Sequence, residues 1–141
     1  MRHTLTVQYG APRRGLPQRR SIEQWLALAA KQPLTVCVRF VGAREGRALN
    51  RDYRHRDYAT NVLTFCYEGP SGDVVLCAPV VAKESREQKK PLAAHYAHLV
   101  VHGLLHLQGY DHERATDARR METLETTLLA TLGYSDPYSN S

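Results

Sequence analysis

The run Pro91 to His112, PLAAHYAHLVVHGLLHLQGYDH, constrains the fold more than any other stretch of the chain. On a helical repeat its apolar residues Leu92, Leu99, Val100, Leu104, Leu105 and Leu107 fall all round the axis rather than on one stripe. A helix of that kind has no solvent face, so the other elements must be packed around it. Pro91 is placed to open the helix, and Gly109, which accepts the left-handed conformation, to end it. The chain is therefore expected to fold around one buried central helix.

That helix carries chemistry. His102 and His106 stand at i and i+4, about one turn apart on one face. His112 follows the Gly109 turn and can come back towards them. A histidine pair alone reads equally as core or surface; the glycine turn and the third histidine make the pattern specific to a metal. Zinc with three protein ligands keeps a fourth position open for water or substrate. One Zn²⁺ per chain on His102, His106 and His112 is the expectation, although imidazole also suits copper, iron and nickel. His98, four residues before His102, competes for the metal, but a supporting or core role is favoured for it and for His95. Asp111 can hold an imidazole through its second nitrogen or cap the last helix. Tyr110 reads as packing.

The histidines and glycine keep the spacing of the zinc-protease pattern H-E-x-x-H-x-x-G-x-x-H, but Gly103 stands where the general-base Glu belongs. Peptide hydrolysis needs a proton delivered to a poor leaving group, whereas phosphodiester cleavage can lean on a metal and an arginine. The loss tilts the reading away from a protease without by itself identifying a nuclease.

At 141 residues, with 43% hydrophobic and 23% charged residues, residues 1–141 suit a single globular domain with a real core. No apolar run approaches the ~20 residues that cross a bilayer, and the first residues lack the apolar stretch of a signal peptide. A cytoplasmic protein with no membrane partner is expected. Cys37, Cys66 and Cys77 suit reduced, buried thiols, with Cys66 and Cys77 placed to face one another across a hairpin. A formal net charge of +5 makes a polyanionic partner plausible. Arginines gather at Arg13-Arg14, Arg19-Arg20, and at Arg44, Arg47, Arg51, Arg54 and Arg56.

Periodicity predicts a strand over Leu5–Tyr9, a loop to Arg20, and a helix opened by the capping-box form Ser21-Ile-Glu-Gln24 and stopped by Pro33. A strand over Leu34–Val41, a basic helix over Arg44–Tyr53, and a hairpin of Asn61–Tyr67 with Asp73–Cys77 follow. Three helices complete the chain: Val80 to about Lys89, the central one, and Glu113 to Leu132 with Gly133 as its stop. The tail from Asp136 is expected to be loosely held. The order implies an α+β domain: a small mixed four-stranded sheet packed with about five helices around the central metal-binding helix.

Several runs together resemble the YbeY family of bacterial endoribonucleases, the 16S rRNA maturation factors. They are Leu49-Asn50, Tyr53 to Asp57 and Thr60 to Phe65; Gly72 to Cys77; Glu84 and Glu87-Gln88; and Ala94-His95, Ala97 to Leu99 and Val101-His102. The H-G-x-L-H-L-x-G-Y-D-H core, Met121-Glu122, Glu125, Leu129, Leu132-Gly133 and Asp136-Pro137-Tyr138 complete the set. The resemblance covers about residues 34 to 138, and Arg56 (for Lys) and Cys66 (for Pro) depart from it. It implies a zinc-dependent, single-strand-specific endoribonuclease acting in 16S rRNA 3′-end maturation and ribosome quality control. Its partners would be the 16S rRNA precursor, the ribosome and ribosome-associated proteins.

The resemblance also implies a functional arginine at Arg54; from the residues alone, a surface arginine is an equal reading. As a phosphate clamp it would pair bidentately with two oxygens. Arg56 is expected to support that charge or to pair with Asp57, and Asp73 to be a structural hydrogen-bonding residue. The attacking group is either water or a 2′-hydroxyl. Two rivals stand beside this reading: a zinc protease, favoured by spacing and opposed by Gly103, and a non-catalytic ribosome-binding module with a structural metal.

Overall fold

The computed structural model describes residues 1–110 and 114–138. Its elements run β1 (Thr4–Gly10), α1 (Arg19–Ala29), β2 (Thr35–Val41), α2 (Ala43–Arg54), β3 (Val62–Cys66), β4 (Ser71–Cys77), α3 (Ala78–Glu87), α4 (Leu92–Leu107) and α5 (Ala115–Thr131). The strands form one mixed sheet in the order β1-β2-β4-β3. Helical crossovers make β1, β2 and β4 parallel, and a short hairpin sets β3 antiparallel to β4. This is the expected α+β domain.

Period-two alternation divides the sheet's side chains between two faces. Val36, Val38 and Phe40 of β2, with Val74 and Leu76 of β4, join the main core with α1 and α4. Leu63, Val75 and Cys77 form a smaller cluster on the other face, with Leu49 of α2 and Val80 of α3. α4 is the central helix: ten of its sixteen residues are buried. A Cβ built on Gly103 would lie 2.7 Å from Val74 Cγ1 and 3.2 Å from Thr64 Oγ1, so glycine here lets α4 lie directly on β3 and β4. Among the described residues, no helix is long and apolar enough to cross a membrane.

Four expectations are corrected. α1 starts at Arg19 with Gln18 as an N-cap that makes no side-chain bond. Arg19 bonds the Leu5 carbonyl (2.8 Å) and Glu23 (2.8 Å), which extends the helix past the capping box. Cys66 is exposed rather than buried. It does not face Cys77, because the register pairs Cys66 with Gly72. Nor is the segment after α5 loose as far as Tyr138. Lys90 Nζ holds the Pro137 carbonyl at 2.5 Å, and Thr126 and the Tyr138 amide both donate to Asp136. The expected first residue of the last helix, Glu113, lies outside the described residues.

Gly103→Ala drives a methyl against a β-branched valine in the central sheet and is expected to cost about 1–3 kcal/mol, the range for overpacking. Urea denaturation measures it; an unchanged midpoint would show that α4 can lift off the sheet at no cost.

Candidate metal centre

His98, His102 and His106 succeed one another at four-residue intervals along α4, each half-buried, on the one polar edge of an otherwise apolar helix. The carboxylate they meet comes from α5. Met121, Glu125 and Leu129 stand at i, i+4 and i+8 on its inward stripe, so Glu125 is carried into the core and is fully buried. Its Oε1 accepts a hydrogen bond from His102 Nδ1. Its Oε2 accepts one from the Tyr138 hydroxyl and lies 3.3 Å from His98 Nε2. His98 Nε2 is also 3.2 Å from the Tyr138 oxygen.

Burial alone would raise the Glu125 pKa, but the His102 and His98 hydrogen bonds, the charge of His102 and the Tyr138 hydroxyl together pull it down to about 2. Tyr138 is pushed far above an ordinary phenol, first by burial and then by its bond to Glu125.

His106 is held differently. Gly109, at φ +94°, turns the chain so that the Tyr110 amide bonds the Leu105 carbonyl at 3.2 Å. The Tyr110 carbonyl then accepts from His106 Nδ1 at 3.0 Å. The turn expected to return His112 thus returns a main-chain acceptor to His106; His112 and Asp111 themselves lie outside the described residues.

A carboxylate and a carbonyl can only accept, so the Nδ1 atoms of both His102 and His106 carry the proton. In the neutral rings the lone pair is then on Nε2. This is the arrangement metal-binding histidines usually have, one nitrogen being fixed by a protein acceptor while the other coordinates. The donor set therefore fits a borderline cation such as zinc. His98, His102 and Glu125 also have one ligand atom each within 4.8 Å of one another, close enough to hold a metal ion.

With this geometry in place, comparison with known proteins is decisive. The family model for endoribonuclease YbeY matches residues 17–133. The chain belongs to the YbeY family. A relative from Burkholderia pseudomallei (strain 1710b), named endoribonuclease YbeY, is 59% identical, the match covering 95% of this chain and 79% of that protein. Another of that name, from Aromatoleum aromaticum, is 57% identical over 98% of this chain and 94% of its own length. A solution structure of a Thermotoga maritima protein shares the fold, with a TM-score of 0.61 at 23% identity over 96% of this chain and 99% of that one.

Several residues of the YbeY-like motifs serve the scaffold. Asn61 donates to Glu84 (3.0 Å), which also meets His95 Nε2 at 2.9 Å, so the start of β3, α3 and α4 are tied together. Asp73 accepts from Tyr67 at 2.5 Å, the structural role expected of it. Asp57 pairs with Arg47 (2.8 and 2.9 Å) and not with Arg56.

Arg54 is the last residue of α2, exposed, with His55 behind it in the left-handed conformation. The structure brings neighbours of Arg54 and of the histidines together. Tyr53 packs edge-to-face on Phe65 of β3 at 5.1 Å. The next residue, Cys66, has its sulfur 4.0 Å from the His106 carbonyl.

Glu125 is the residue that sequence reasoning missed as a functional group. The signal was an acid on an apolar stripe, between Met121 and Leu129. Its folded pKa, about 2, lies below the ~4.3 of a free glutamate. A depressed pKa contributes stability that is complete above the unfolded value and is lost as pH falls through the folded one. The native protein should therefore weaken steeply between about pH 4.3 and 2, and Glu125→Gln should flatten that fall. Denaturation series across this range test it; parallel curves for the two proteins would show that the carboxylate is not held in this way.

Proposed function

We propose that this member of an endoribonuclease family cuts single-stranded RNA using one zinc ion held by His102, His106 and His112, with Arg54 as the phosphate clamp. We further propose that its substrate is the 16S rRNA precursor. In that role it would act in the cytoplasm in 3′-end maturation and ribosome quality control, in contact with the ribosome and ribosome-associated proteins. Family membership supports the endoribonuclease activity. The observation that carries the metal assignment is the pair of Nδ1 bonds, His102 to Glu125 and His106 to the Tyr110 carbonyl.

The cluster of His98, His102 and Glu125 is better read as the support of this site than as the site itself. His102 Nδ1 is in direct hydrogen-bond contact with Oε1, which supports reading this carboxylate as the holder of the ring. Oε2 is engaged by Tyr138. His98, on the far side of that carboxylate, keeps the supporting role that its sequence position suggests.

When bound, zinc would polarise a phosphoryl oxygen and make water more acidic. The protein's own residues do the rest. Glu125 and the Tyr110 carbonyl fix the two imidazoles so that little reorganisation is needed at the reacting centre. An arginine at position 54 stays charged at every working pH and can take up charge developing on the phosphate. Position 103 contributes no proton acceptor, since its Cβ direction points into Val74 and Thr64 of the sheet. The peptidase reading therefore lacks its general base.

Metal analysis and cleavage of a single-stranded RNA by purified protein test this. His106→Ala should lose both zinc and cleavage. Arg54→Ala should keep zinc while turnover falls by about 10²–10³-fold, the scale for removing one charge-stabilising donor. Zinc lost from the Arg54 variant, or retained by the His106 variant, contradicts the assigned roles. Undiminished cleavage by zinc-free protein contradicts the reading as a whole.

A further inference from the structure

Beyond the histidine edge, a cleft of about 630 Å³ opens where the ends of α1 and α4 meet the start of α5. Its walls are built rather than incidental. Gln108, the residue after α4, spends its amide on joining two helix ends: Nε2 donates to the carbonyls of Ala29 (3.0 Å) and Leu104 (3.1 Å). Its Oε1 accepts from the Lys31 amide at 2.8 Å. Lys31 is thus fixed at the main chain. Its ammonium is fixed too, donating to the Tyr110 hydroxyl at 2.5 Å and standing 5.1 Å from the centre of that ring.

The opposite wall is the first turns of α5. Asp117 and Arg120, three residues apart, share one face of that helix, and Arg114, its N-cap residue, joins them in lining the cleft. Among the described residues, the lining carries three cations, Lys31 included, against one carboxylate. Among the described residues, neither Arg114 nor Arg120 has an ion-pair partner. Some surface arginines are paired off, Arg39 with Glu45, Arg47 with Asp57 and Arg19 with Glu23, whereas Arg114 and Arg120 line a cleft without such a partner. A concave surface with two unmatched positive charges concentrates anions.

Tyr110 belongs to both places. Its hydroxyl forms part of the cleft wall through Lys31, and its carbonyl holds His106. We infer that the Lys31, Arg114 and Arg120 cleft is a phosphate subsite, which takes the backbone of the single-stranded RNA next to the bond being cut. This rests on the endoribonuclease reading above. A strand crossing the histidine edge continues into this cleft, where the cations track its backbone and read no base.

The test is RNA binding by zinc-stripped protein, so that metal loading plays no part. The probe is a short fluorescein-labelled oligouridylate followed by anisotropy over a salt series. Arg114→Ala/Arg120→Ala removes two exposed side chains and should weaken binding by about tenfold or more. The slope of log affinity against log salt should become shallower by about 0.7 for each lost phosphate contact. Lys31→Ala should act in the same direction. Lys83→Ala, on α3 away from the cleft, should leave affinity and slope unchanged. Wild-type affinity and slope in the double arginine variant would overturn the proposal, as would an equal loss in the Lys83 variant. So would inorganic phosphate that binds the wild-type protein but not the double variant while RNA affinity stays the same; the cleft would then be a site for free phosphate. These outcomes are separable from failure of the endoribonuclease reading, in which wild-type, zinc-loaded protein cuts no RNA.

Discussion

A carboxylate cut off from water is stable only while its oxygens are filled, and the Glu125 carboxylate is filled by the histidine edge of α4 and by Tyr138. His102, His98 and Tyr138 all converge on it. The same contacts that make its burial tolerable fix the His102 ring, pin the segment after α5 and dock α5 against α4. Stability and site geometry are therefore one set of interactions here. Removing one partner of such a cluster would be felt both in folding and at the imidazole, because a buried charge left short of partners costs far more than a surface pair is worth.

The second constraint comes from the sheet. Gly103 lets α4 lie close to Val74 and Thr64, so the position after His102 faces the sheet. Seen this way, the glycine that replaces the protease glutamate is not an enzyme with a part removed. The position following the first histidine is an interior packing position, and a carboxylate there would meet β-strand side chains. The comparison with peptidases fails for a steric reason as well as a chemical one.

Much of this was legible in the sequence because it was local. The all-round apolar character of residues 92–107 marked the central helix, the i, i+4 histidines marked its polar edge, and Gly109 marked its end. Alternation in 35–41 and the turn residues between 66 and 71 placed the strands. What stayed hidden depended on partners far apart in the chain. The Glu125 partners lie 23 and 27 residues earlier on α4 and 13 residues later at Tyr138. Tyr138 therefore read as part of a loose tail. The capping box at Ser21 was overruled by Arg19 reaching back to the Leu5 carbonyl, 14 residues away. The arginine that takes Asp57 is Arg47, ten residues earlier, and not the adjacent Arg56, because α2 brings it there.

In the proposed site, His102 and His106 offer Nε2 to the metal because their Nδ1 protons are held by Glu125 and the Tyr110 carbonyl. Long-range ¹H–¹⁵N correlation spectra of histidine-labelled protein, taken with zinc bound, report which ring nitrogen carries the proton and which the metal. Both rings are expected to be protonated at Nδ1 and to coordinate through Nε2. Coordination of His102 through Nδ1, together with His98 joining the metal, would instead put the ion among His98, His102 and Glu125 and contradict it.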